Sequence, residues 1–148
     1  MLSLNFFIIT ALWLNHRVKC AISAVNTPVE FEVLLPQLEE FLASEGWGIS
    51  KTMVIDGLGE QTGNAGMFID GLVVIDADLS VTQKLKTTIH ELRHYNQFEV
   101  MKDREVFEKA KFDLFIGRVS YENAYHEVDA REQEELMYKR FMEYRRRA

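Results

Sequence analysis

The chain has a single cysteine, Cys20, and so no internal disulfide and no CxxC pair. Any bound metal must therefore be held by His, Asp or Glu. There is no excess of positive charge: 17 Lys and Arg stand against 23 Asp and Glu, a formal net charge of −6. Nonspecific nucleic-acid binding needs a basic footprint, and that class is excluded. No apolar run is long enough to cross a bilayer as a helix, which takes about 20 residues. The longest, "MLSLNFFIITALWL", is followed rather than preceded by its basic residues, His16, Arg17 and Lys19. That order does not suit a secretory signal. Residues 1–26 are thus expected to be a packed or poorly ordered N-terminal helix, or an upstream start that is not used, with a signal or membrane anchor as the alternative. The expected setting is cytoplasmic, with secretion or membrane anchoring left open by this apolar segment. Only two prolines and eight glycines punctuate 148 residues. No repeat, low-complexity tract or domain boundary is visible, so residues 27–148 are read as one domain.

What is present is 47% hydrophobic and 27% charged sequence, ordinary for a globular protein. Thr27, Pro28 and Glu30 form a capping-box pattern at the start of a helix that runs toward Gly46, with Pro36 expected to kink or restart it. Residues 48–56, "GISKTMVID", read as a strand followed by a glycine-rich loop. "MFID" and "LVVID" flank Gly71 as two short strands or one bulged strand. Ser80 is placed to cap a helix reaching about Met101, and two further helices are expected at about 104–116 and 120–146. Helix, small sheet, then helices makes the expected fold class α+β.

Within the capped helix lies "TTIHELRHYNQ". His90 and His94 are four apart, one turn along the same face, and can chelate one ion. Glu91 lies about 100° further round, where it flanks the metal instead of binding it and can act as general base toward a metal-activated water. Leu92 points elsewhere, into the core. The plain alternative is an amphipathic helix with solvated histidines, since the five-residue pattern arises by chance in roughly one chain in a few hundred.

Catalytic zinc usually takes three protein ligands, so a third is needed. "NAYHEVDAREQEE" supplies Glu127, with small Ala130 three residues on to let two helices approach. His126 competes for the same role. Against both, Glu132, Glu134 and Glu135 in the same stretch suggest a solvated acidic helix. Tyr95, Tyr121 and Tyr125 are candidate oxyanion stabilisers, with core packing the plainer role. Arg93 reads as part of a solvated face, or as a partner for an acidic neighbour or a substrate carboxylate. The terminal "YKRFMEYRRRA" suits a helix C-terminus through the macrodipole. "GMFIDGLVVID" can offer an edge strand to an extended peptide.

"VVIDADLSVTQKLKTTIHELRHYNQ", with "EVDA" some thirty residues later, resembles the gluzincin zinc metallopeptidases. It is most similar to the small ImmA/IrrE-like and phage-encoded members. The resemblance covers residues 66–135. It implies a zincin-like fold, in which a small sheet with an edge strand packs on the active-site helix and a long helix follows. It also implies Zn2+ held by His90, His94 and Glu127, Glu91 as catalytic base, and a protein or peptide substrate. One departure stands out. Many gluzincins place an acid or amide directly after the Ala to orient a metal-bound histidine, and here that residue is Arg131. Asp129 is expected to face another way, which leaves that support weaker or supplied by another residue. The alternative function is a zinc-binding regulatory or interaction module of weak activity on the same scaffold.

Overall fold

A computed structural model describes residues 29–148. The Thr27–Pro28 part of the capping box lies outside the described residues, as does the segment 1–26. Helix α1 spans Val29–Ser44 and continues through Pro36, without the expected restart. Strand β1, Lys51–Ile55, is followed by a short helix, α2, Leu58–Thr62. This helix occupies the stretch expected to be a glycine-rich loop, and left-handed Gly57 and Gly63 bracket it.

Strands β2, Gly66–Ile69, and β3, Leu72–Asp76, form a hairpin closed by Asp70 and Gly71, both at positive φ. Positive φ at both central positions is what a two-residue turn matching strand twist demands, which settles the stretch as two strands and not one bulged strand. The sheet order is β1-β3-β2, with β1 parallel and β2 antiparallel to β3. β1 and β2 are therefore the two edges of the sheet, and β3 is its centre.

Ser80 caps helix α3, Val81–Tyr95, with the full reciprocal box: its hydroxyl accepts from Gln83 N, and Gln83 Oε1 accepts from Ser80 N. A π turn at Asn96–Val100 follows, so the helical run to about Met101 changes pitch after the second histidine. Helices α4, Arg104–Phe115, and α5, Tyr125–Arg147, complete an α+β fold, with a 3-10 turn at Tyr121–Asn123 ahead of α5. Arg145, Arg146 and Arg147 fill the last turn of α5, as the macrodipole favours. Among the described residues, no helix is long and apolar enough to cross a membrane.

The main core lies where α1, α3 and α5 meet β3. Phe31, Leu38, Ile75, Ile89, Leu92 and Phe141 are all at most 1% exposed. This packing places α5 alongside α3, and β2 across the part of α3 that carries Thr87, Glu91 and Tyr95. Gly66 marks the closest approach of sheet to helix. A Cβ there would collide with the Thr87 methyl and crowd Glu91 Cγ at 3.1 Å.

Candidate metal centre

Helical spacing stacks His90 over His94 on the α3 face opposite Leu92, which is fully buried in the core as its position suggested. Helix α5 brings Glu127 against that face. The Nε2 atoms of His90 and His94 lie 3.2 Å apart. Glu127 Oε2 stands 3.3 Å from the first, and Oε1 3.5 Å from the second. The three side chains are only 14%, 10% and 10% exposed. One ligand atom from each falls within 4.8 Å of the others, close enough to bind a single metal ion.

Whether a cation fits is decided by the lone pairs. Gln97 Nε2 donates to the His126 carbonyl at 2.9 Å and to Asp129 Oδ2 at 2.7 Å. Its Oε1 is thereby left to accept from His94 Nδ1–H, 2.8 Å away. Glu134 Oε2 accepts from His90 Nδ1–H at 3.1 Å. With both Nδ1 atoms protonated, both Nε2 lone pairs face each other and the Glu127 carboxylate, an arrangement that only a positive charge between them stabilises. Glu127 Oε2 is buried without a hydrogen-bond partner, as an atom reserved for a cation would be. The donor set of two imidazoles and a carboxylate is one that zinc accepts.

Without metal, a proton substitutes. Burial opposes charge on His90, but hydrogen bonds to Glu127 and Glu134 outweigh it and raise its pKa to about 9. Burial likewise opposes charge on Glu127. Hydrogen bonds from His90, His94 and Tyr121 nevertheless hold its carboxyl well below the usual range.

Glu91 is buried beside the cluster, not in it. Burial raises its pKa, while the neighbouring histidines and a hydrogen bond from the Phe68 backbone work the other way. That bond comes from β2. In the β2–β3 register the Asp76–Ala65 hydrogen bond fixes the phase, so Gly66 and Phe68 turn their backbone groups to the outer edge of β2. Glu91 and the strand edge thus share one side of the site.

The other candidates sort cleanly. His126 stands outside the three-residue cluster, with Nε2 3.5 Å from Glu127 Oε1 and its pKa lowered by burial. Tyr121 and Tyr125 are each 53% exposed, so neither is a core residue. Burial raises the pKa of the Tyr121 hydroxyl, and the neighbouring Glu127 carboxylate raises it further. Tyr125 stacks on Phe107, and Tyr95 packs edge-on to Phe68. Arg93 does not lie on a solvated face. It holds Asp129 through two hydrogen bonds of 2.6 and 3.1 Å and lies 5.5 Å from the Trp47 ring centroid.

Asp129 faces away from the metal cluster, as expected, yet supports it through Gln97. The support that Arg131 cannot give comes from Gln97 for His94 and from Glu134 for His90. Arg131 instead donates to the Glu122 carbonyl and stands 5.8 Å from the Tyr121 ring centroid. The sequence reads Glu134 as a solvated helix carboxylate and gives Gln97 no role. A signal existed for each: Gln97 follows His94 by three and Glu134 follows Glu127 by seven, spacings that return to the same helix face.

No protein-family model, curated protein or solved structure matches the chain.

Proposed function

We propose that this protein is a zinc-dependent metallopeptidase of gluzincin type, similar to the ImmA/IrrE-like members. The observation that carries the reading is the convergence of His90 Nε2, His94 Nε2 and the Glu127 carboxylate, with a buried Glu91 alongside that makes no part of the cluster. When bound, zinc supplies a Lewis-acid charge that acidifies a water and polarises a carbonyl. Glu91 takes the water's proton and passes it to the leaving amine. Burial raises the affinity of its carboxylate for that proton. His90 and His94 are oriented by Glu134 and Gln97. Tyr121, whose hydroxyl neighbours Glu127, is placed to donate to a developing oxyanion.

The substrate is a protein or peptide in extended form. Gly66 and the Phe68 carbonyl face the outer edge of β2, where an added strand can pair. Beside that edge a groove of about 780 Å³ runs between Met67–Asp70 and helix α4, with Phe98, Phe112 and Phe115 on its walls.

Metal analysis of the purified protein, beside wild type and Glu91→Gln tested on unfolded proteins, checks the proposal. About one zinc per chain in both, with hydrolysis by the wild type reduced 10²–10⁴-fold in the variant, is the expected result. Equal rates for the two would remove Glu91 as base. Zinc without hydrolysis would favour the regulatory-module alternative.

A further inference from the structure

Resting on the peptidase reading, a smaller cavity next to the metal cluster goes further and indicates what the substrate carries. It measures about 150 Å³ and is lined by Phe68, His94, Phe98, Lys111, His126 and Glu127. At about 30 Å³ per water, it holds roughly five waters or one short side chain. It touches a metal-ligand histidine on one side and opens toward the larger groove on the other, since Phe68, Phe98 and Lys111 line both. A group seated there belongs to a substrate residue adjacent to the reacting carbonyl.

Two observations define the chemistry of that group. First, four of the six lining residues, His94, Lys111, His126 and Glu127, are polar, so the cavity suits a polar occupant. Second, Lys111 is the cation of the lining, with its Nζ 5.2 Å from the Phe98 ring centroid. Among the described residues, Lys111 has no ion-pair partner. Its neighbours on α4 do: Lys109 pairs with Asp113, and Arg104 with Glu108. The one acid in the lining is Glu127, whose charge faces the metal-ligand histidines.

We infer that this cavity is a carboxylate subsite in which Lys111 selects substrates with an acidic group next to the scissile bond. Two sources offer that chemistry: an Asp or Glu side chain within a peptide, or the terminal carboxylate of a residue being released.

The test uses the full zinc-loaded chain and matched peptides. One carries Glu at each position flanking the cleavage point in turn, a second carries Gln there, and a third ends one residue beyond with a free or amidated C-terminus. Wild type should prefer Glu over Gln by at least about tenfold in kcat/KM, the scale of a charge-assisted hydrogen bond, and Lys111→Met should collapse that ratio to near one. A preference confined to the free C-terminus would assign the carboxylate to the chain end. Cleavage by wild type without acid preference, or a ratio unchanged in Lys111→Met, overturns the subsite while leaving the peptidase reading standing. A second readout needs no hydrolysis. N-acetylglutamate, against N-acetylglutamine diamide, should shift the His126 and Phe98 ring resonances of the wild type but not of Lys111→Met. That shift without any cleavage would keep the subsite and remove the peptidase. Absence of both the shift and the preference removes the subsite.

Discussion

Helix α3 has two sides that are held by opposite physics. Leu85, Ile89 and Leu92 face the apolar core with Phe31, Leu38 and Phe141, and their contacts are nondirectional and shared among many neighbours. His90, Arg93, His94 and, one turn on, Gln97 face α5 through a polar seam in which nearly every atom has one partner. The core side tolerates a change by repacking. The seam does not, because a removed partner leaves a buried polar group without replacement. The helix is held in place by one side and given its chemistry by the other.

The sharpest way to break that comparison is His94→Ala. One of two imidazole ligands is lost, so zinc binding should fall below detection, while the circular dichroism of the chelated protein keeps its helical signature. Stoichiometric zinc in this variant would mean that the seam is not a metal centre. On the core side, Phe141→Ala should cost about 3–5 kcal/mol of unfolding free energy, from lost burial and the cavity left behind. The zinc affinity of the folded fraction should stay near that of wild type, measured by chelator competition below the new melting temperature. A parallel collapse of affinity would show that core and seam are not separable.

Gln97→Leu tests the seam without touching a ligand. It keeps the side-chain bulk but frees His94 to rotate and strands Asp129 and the His126 carbonyl. Zinc affinity should drop about 10–100-fold, the usual cost of losing support behind a ligand. An unchanged affinity would reduce Gln97 to packing.

The mildest perturbation is pH. In the metal-free protein His90 keeps its proton up to about 9, and zinc must displace it. Apparent zinc affinity should therefore fall about tenfold for each pH unit below 9. Stability of the metal-free chain moves the other way. A raised folded pKa contributes stabilisation that is complete below the ordinary value of 6.5 and is lost as pH rises through 9. Chelator-competition titrations and melts of chelated protein between pH 6 and 9 measure both. A flat affinity profile would mean that His90 is already neutral in the metal-free state.

Much of this was legible residue by residue, wherever the relation is local. Ser80 reads directly as a helix cap, while the stretch around Gly71 reads as two short strands or one bulged strand until the positive φ of Asp70 and Gly71 decides for the hairpin. The His90–His94 pair follows from the pitch of any helix. Less legible were the one-turn helix α2 between its two glycines, which nothing apolar and periodic announces, and the persistence of α1 through Pro36. The π turn after His94 also left no mark, since Asn96 and Gln97 are ordinary helix residues. It appears where the Asn96 side chain donates to the Gly48 and Leu92 carbonyls and accepts from Gly48 N, a demand set by a loop 48 residues away.

The sequence by itself determined which groups were available and how they repeat along each helix: two imidazoles one turn apart, a carboxylate flanking them, and an acidic stretch some thirty residues later. Only the tertiary structure chose among the acids. Glu127 faces the histidines while His126 stands outside the cluster, Glu134 reaches back to His90, and Asp129 turns to Arg93 and Gln97. Helical pitch is a property of the backbone and is settled within one turn. The rotation and offset of one helix against another are settled by which apolar side chains interlock beneath them, here Leu92 and Ile89 on α3 with Phe141 and Met137 on α5, and no local pattern encodes that fit.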